Sequence, residues 1–103
     1  TNRASFALNH VLFRGDALIF DGLNARSVKL FSRKSGHGVS MDFPDFPILG
    51  IWSPAKDAPF VCLEPWTGTG TRVSEDDVFE HKIGVISLEP GGVREYTFTV
   101  TVF

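Results

Sequence analysis

Disulfides cannot hold this chain together, because its 103 residues include one cysteine. Cys62 lies in the apolar run Phe60-Val61-Cys62-Leu63, where a buried structural thiol is the simplest reading. A reducing, cytoplasmic setting fits such a chain. No apolar run is long enough to span a membrane, and no signal-peptide pattern is present. An excess of charge of one sign is also missing. Ten Lys and Arg stand against twelve Asp and Glu, for a formal charge of −2, and the basic residues are scattered instead of striped. That distribution gives no support for a nucleic-acid partner. Walker-type glycine loops, zinc motifs and the Gly-x-Ser-x-Gly elbow are absent. No cofactor is implied. The acidic cluster Ser74-Glu75-Asp76-Asp77 has no His or Cys at ligand spacing, so it reads as a solvated loop, not a metal site.

What is present is enough apolar material to fold: 43% of the residues are hydrophobic and 21% charged. Ten phenylalanines are many for this length. They predict a large apolar face, part of which is meant to meet other protein. The chain also lacks an initiator Met and opens on Thr1-Asn2-Arg3-Ala4-Ser5-Phe6-Ala7-Leu8, which reads as strand almost at once. The expectation is a piece of something longer.

The dominant period is two. Tyr96, Phe98, Val100 and Val102 alternate with Glu95, Thr97, Thr99 and Thr101, the pattern of a strand with one buried and one wet face. Val39, Met41 and Phe43 alternate with Ser40 and Asp42, and Val28 and Leu30 with Ser27 and Lys29. Ala17-Leu18-Ile19-Phe20 is a short apolar run ended by Asp21-Gly22, a turn signal. Phe60-Val61-Cys62-Leu63 and Val85-Ile86-Ser87-Leu88 are continuous apolar runs, consistent with covered strands. Val11-Leu12-Phe13-Arg14 predicts one short helical turn, and no longer helical stripe is present. The recurring prolines of the second half would break longer helices. About seven short strands joined by turns predict an all-β sandwich or barrel.

The most unusual segment is Phe60-Val61-Cys62-Leu63-Glu64-Pro65-Trp66. An apolar strand runs directly into a carboxylate, and a buried charge costs several kcal/mol unless it is paired. Alternation puts Cys62 and Glu64 on one face and Val61, Leu63 and Pro65 on the other. Two readings stand side by side. In one, Glu64 is a carboxylate at a strand end in a cleft, placed for proton transfer. In the other it caps an exposed tip and pairs with Arg72 or Lys82. Trp52, at the end of Ile48-Leu49-Gly50-Ile51-Trp52, and Trp66 divide in the same way. Either they offer flat rings to the C–H faces of a sugar, or they are core packing. Asp42, Asp45, Asp57, Asp76 and Asp77 read as turn acids. His10, His37 and His81 are isolated from one another in sequence and read as surface or hydrogen-bonded histidines.

The order of three segments carries a resemblance. Leu12-Phe13-Arg14-Gly15-Asp16-Ala17-Leu18-Ile19-Phe20 comes first. Asp42-Phe43-Pro44-Asp45-Phe46-Pro47-Ile48-Leu49-Gly50-Ile51-Trp52 follows, and then Pro59-Phe60-Val61-Cys62-Leu63-Glu64-Pro65-Trp66. Together they resemble the aldose 1-epimerase (galactose mutarotase-like) family, most closely its LacX-like branch. His81-Lys82-Ile83-Gly84 and Leu88-Glu89-Pro90-Gly91 support the likeness. The resemblance implies that residues 1–103 are the C-terminal part of a longer antiparallel β-sandwich of the galactose mutarotase type. It implies an isomerase that interconverts the α and β anomers of a free aldohexose without a cofactor. Glu64 would be the catalytic base, and Asp16, Trp52 and Trp66 would bind the monosaccharide. The family's acid lies upstream of the matched region, so the chain alone would be incomplete as an enzyme. A partial sandwich would associate with itself or with the missing N-terminal portion. Two alternatives remain open. A hexose-phosphate epimerase would need a basic pocket, and Arg14, Arg26, Arg33, Lys34 and Arg72 are not clustered in sequence. A non-catalytic carbohydrate-binding sandwich is the other, since one fold hosts many functions.

Overall fold

The computed structural model describes residues 5–54, 56 and 58–103. The first four residues and Asp57 lie outside the described residues, so the readings made on them stay as expectations.

Six strands are formed among the described residues: β1 (Leu18–Phe20), β2 (Ser27–Phe31), β3 (Gly38–Asp42), β4 (Ile48–Trp52), β5 (Cys62–Trp66) and β6 (Thr99–Val102). Short 3-10 turns occupy His10–Phe13 and Phe79–His81. The strands make two antiparallel three-stranded sheets, ordered β1-β4-β5 and β2-β3-β6. The chain is therefore an all-β sandwich, as its period-two patterning predicts. No helix among the described residues is long and apolar enough to cross a membrane.

Register explains which side chains meet. In the first sheet Leu18 is opposite Ile51, and Phe20 is opposite Leu49. On the other side of β4, Leu63 is opposite Ile51 and Pro65 opposite Leu49. Directly opposed residues share a face. Leu18, Phe20, Leu49, Ile51 and Leu63 all pack in one apolar cluster with Phe13, Met41 and Phe43. In the second sheet Val28 is opposite Met41, which in turn is opposite Val100. Met41 thus brings the second sheet into the same core. Phe43, just past β3, and Leu49 are the largest fully buried side chains. Each contributes about 2–3 kcal/mol by leaving water.

The structure departs from the sequence reading in four places. Residues 85–88, read as a covered strand, are irregular. Residues 5–8 are not strand either. The last strand starts at Thr99, because Tyr96 and Phe98 leave the ladder to pack on Phe46, with ring centroids 5.4 and 6.2 Å apart. The Thr97 N–H donates to the Asp45 carboxylate at 2.7 Å instead of to a strand neighbour. Finally, the strand containing Cys62 is only half-buried and does not stop before Glu64. It runs on through Pro65 to Trp66. Proline is admitted there because β5 is an edge strand, where a ladder donor can be lost.

Candidate functional site

Strand alternation divides β4 and β5 into a core face and an outer face. Leu49, Ile51, Leu63 and Pro65 take the core face. Ile48, Gly50, Trp52, Cys62, Glu64 and Trp66 therefore share the outer face, in three opposed pairs: Trp52 with Cys62, Gly50 with Glu64, and Ile48 with Trp66. Three of the four residues singled out from sequence, Trp52, Glu64 and Trp66, come together on this one surface. Glu64 lies in the middle of its strand, not at a tip. Its neighbours on both sides along that face are a tryptophan-bearing level of the sheet.

Glu64 is held by its own strand. The Trp66 indole Nε1–H donates to Glu64 Oε1 at 3.4 Å. The two cations offered as its partners in the capping reading are engaged elsewhere. Arg72 Nη2 donates to Asp21 Oδ2 at 3.0 Å, and Lys82 Nζ to Glu75 Oε2 at 3.4 Å. Glu64 and Trp66 are both half-buried, so the carboxylate is neither sealed in a core nor fully in water. Trp52 stands at the other end of the row and packs on Phe60, with centroids 6.2 Å apart. Its indole is half-buried, which leaves part of each tryptophan available to a ligand.

Gly50 was not singled out from the sequence, yet it sets the shape of this surface. A Cβ built there would stand 2.7 Å from Trp66 Cζ2 and 2.8 Å from Cε2. The indole occupies the space that any other residue at position 50 would fill. The signal was legible: a lone glycine inside an apolar strand marks a close approach.

Beyond Trp66 the chain forms a shallow hollow lined by Trp66, Thr67, Gly68, Thr69 and Gly70. Two contacts fix its far wall. Arg72 Nε donates to Thr69 Oγ1 at 3.4 Å while the same guanidinium holds Asp21 at the end of β1. Gly84, at φ +85°, lies against Thr67, where a Cβ would collide with the Thr67 carbonyl. Asp21 and Arg72 thus tie the two edge strands of the first sheet across the end of β4. The sequence reading took Asp21 only as part of the Asp21-Gly22 turn.

Asp16 sits on the turn before β1, with φ +85°. Its Oδ1 accepts the Ala17 N–H at 2.8 Å. Because Leu18 is opposite Ile51, this turn lies toward the Trp52 end of the sheet, while Asp21 lies toward the Trp66 end. The histidines have partners of their own. His10 Nε2–H donates to the Ala58 carbonyl at 2.9 Å, and His81 Nδ1–H donates to Asp76 Oδ2 at 2.7 Å. His37 belongs to the turn between β2 and β3, where its carbonyl accepts the Ser32 N–H at 2.9 Å. The His81 hydrogen bond, together with the Val78 N–H, holds the Asp76 carboxyl below its ordinary value. No group of His, Cys, Asp and Glu among the described residues could hold a metal ion.

Fold and surface together define a β-sandwich protein that carries a carboxylate between two tryptophans on the outer face of one sheet. The chain is 41% identical over 101 residues to the chromosomal Protein LacX of Lactococcus lactis subsp. lactis, and equally to the plasmid-borne Protein LacX of that organism. Each match takes in 98% of this chain and 34% of the LacX protein. The LacX-like resemblance read from the sequence is thus borne out along nearly the whole chain. The chain spans about a third of the length of the curated relatives it matches. No family model matches it, and no solved structure does.

Proposed function

We propose that this chain contributes the base and part of the sugar cleft of an aldose 1-epimerase-like isomerase acting on a free aldohexose. The observation that carries the reading is the Trp52–Glu64–Trp66 row, in which a half-buried carboxylate is flanked along one face by two indoles. An aromatic ring covers the apolar face of a pyranose, and a carboxylate between two rings meets the hydroxyls at its rim. The LacX name of the matched relatives, which points to lactose-related metabolism, and the three-segment resemblance support the same direction.

In this mechanism Glu64 removes the proton from the anomeric hydroxyl while an acid protonates the ring oxygen. The C1–O5 bond breaks, the aldehyde end rotates, and the ring closes on the opposite face with the two proton transfers reversed. No electrons are gained or lost, so no cofactor is required. Trp52 and Trp66 hold the ring, and Asp16 accepts sugar hydroxyls from the turn before β1. In this reading the acid comes from outside this chain, as the resemblance implies.

Free sugar is favoured over a sugar phosphate by Arg72. It donates to Thr69 in the wall of the hollow beside Trp66, and its charge is already matched by Asp21 at 3.0 Å. A phosphate would have to displace that carboxylate.

The test is polarimetry of freshly dissolved α-galactose, α-glucose and glucose 6-phosphate with a LacX-length protein containing this chain. Faster equilibration of the free sugars, reduced at least about 10²-fold by Glu64→Gln, is expected. Acceleration of the phosphorylated sugar alone would replace the substrate assignment. Sugar binding without anomer exchange would leave a binding module.

A further inference from the structure

The two oxygens of Glu64 are placed differently. Trp66 Nε1–H donates to Oε1 at 3.4 Å. An indole nitrogen can only donate, so Oε1 has to stay an acceptor for the contact to persist. When a carboxylate held in this way takes up a proton, the oxygen facing the donor keeps its carbonyl character. The proton then belongs on the other oxygen, Oε2.

Three further features serve that one contact. Glu64 and Trp66 are two residues apart on β5, so both side chains leave the same face of the strand. Gly50 is directly opposite Glu64, and its missing side chain is the seat of the indole, since a Cβ there would meet Trp66 Cζ2 at 2.7 Å. A larger residue would lift the ring and carry the N–H away with it. The donor is also neutral. Arg72 and Lys82 are paired with Asp21 and Glu75 instead. A charge-assisted bond from either cation would grip Glu64 more strongly, but it would also compensate the negative charge that a base needs. The indole orients the carboxylate and leaves its charge in place.

We infer that Trp66 is the positioning residue for the base: seated on Gly50, it holds Glu64 Oε1 and turns Oε2 toward the sugar as the oxygen that takes and returns the proton. This rests on the proposed reading of Glu64 as the base of an epimerase. The anomeric O–H bond breaks while an O–H bond forms at Oε2, and on ring closure the same proton goes back to the oxygen on C1. At 3.4 Å the Trp66 contact is longer than an ordinary N–H···O bond. Hydrogen bonds of unliganded sites commonly tighten when substrate arrives, and the seat on Gly50 keeps the donor aimed until then.

The test uses a LacX-length protein containing this chain. Trp66→Phe keeps a ring over Gly50 and removes the N–H. It should lower kcat for the free sugar about tenfold while KM moves less than about twofold. Gly50→Ala keeps the N–H and unseats it, so it should also lower kcat, and the double variant should lose little more than Trp66→Phe alone. Without substrate, the Trp66 Nε1–H proton resonance, identified by its loss in Trp66→Phe, should move upfield in Glu64→Ala and in Gly50→Ala. A resonance that Glu64→Ala leaves in place would overturn the inference. So would a rise in KM at unchanged kcat in Trp66→Phe, which would make Trp66 a platform for the sugar ring and nothing more. Losses that multiply in the double variant would show that Gly50 does not act through Trp66. A protein inactive on every sugar would sink the epimerase reading, whereas the resonance judges the Trp66–Glu64 contact by itself.

Discussion

Trp66 lies over the backbone of Gly50 on the neighbouring strand, in space that a Cβ would occupy at 2.7 Å. The relationship is diagonal, since Gly50 is opposite Glu64 and Trp66 opposite Ile48. It links the shape of the outer face to the carboxylate, because the same indole donates to Glu64.

Gly50→Ala is expected to push the indole off the sheet. The cost is about 1–3 kcal/mol, typical of adding a group where none fits. In a Trp52→Phe background the remaining Trp66 emission should shift to the red and become more accessible to a neutral quencher. An unchanged spectrum would mean that the indole does not rest on Gly50 in solution.

The Arg72–Asp21 pair joins the loop after β5 to the end of β1. Both side chains are substantially exposed, so Arg72→Ala should cost no more than about 1 kcal/mol in overall stability. The effect is local. Backbone amides of residues 67–72 should exchange faster with solvent, and raising salt should produce part of the same change in the unmodified chain. Equal exchange in both proteins at low salt would show that the loop is held by Gly84 alone.

How far the sequence anticipated this depends on what kind of signal each element carries. Alternation placed Val28, Leu30, Val39 and Met41 correctly, because a period of two has one geometrical meaning. It also put Cys62 and Glu64 on one face. The strand end at Glu64 was misread because proline normally stops pairing, and nothing local says that β5 lies at an edge. Val85 to Leu88 was misread for the opposite reason. A short apolar run carries no period, and whether it pairs depends on neighbours that only tertiary structure supplies. Of the outer-face row, Trp52, Glu64 and Trp66 were legible from residue type and parity. The contributions of Gly50, Asp21 and Arg72 were not read, since an ion pair between positions 51 residues apart leaves no local trace.

Asp76 offers a pH-dependent check. Its carboxyl is held below the ordinary value of 3.8 first by the hydrogen bond from His81 and then by the Val78 N–H. A depressed folded-state value means that the contact favours the folded chain fully above 3.8 and loses that contribution as the pH falls through the lower folded value. His81→Ala should bring the Asp76 carboxyl back toward its ordinary value in a carbon-detected titration, although the Val78 N–H keeps part of the depression. If the titration does not move, His81 is not the principal cause. Both side chains are well exposed, so the acid limb of the stability profile should change little.

Phe43 is where the sandwich is most vulnerable. It follows the end of β3 directly, and the chain then turns over Pro44 and Asp45, with Phe46 N–H donating to the Phe43 carbonyl at 3.1 Å, to enter β4 in the other sheet. Its own N–H donates to the Arg26 carbonyl at 2.8 Å. Backbone bonds thus fix it at the crossover between the sheets, and its ring is fully buried among Phe13, Met41, Leu49 and Ile51. Phe43→Ala would remove a ring contacted from both sheets and leave a cavity that neither can close without breaking its ladder. The expected cost is about 3–5 kcal/mol. Small domains have only about 5–15 kcal/mol in total, and this one has six buried core side chains, so the variant should be largely unfolded in urea concentrations that leave the parent chain intact. Phe43→Leu should recover most of the loss. A Phe43→Ala midpoint close to that of the parent chain would mean that the two sheets do not share the core described here.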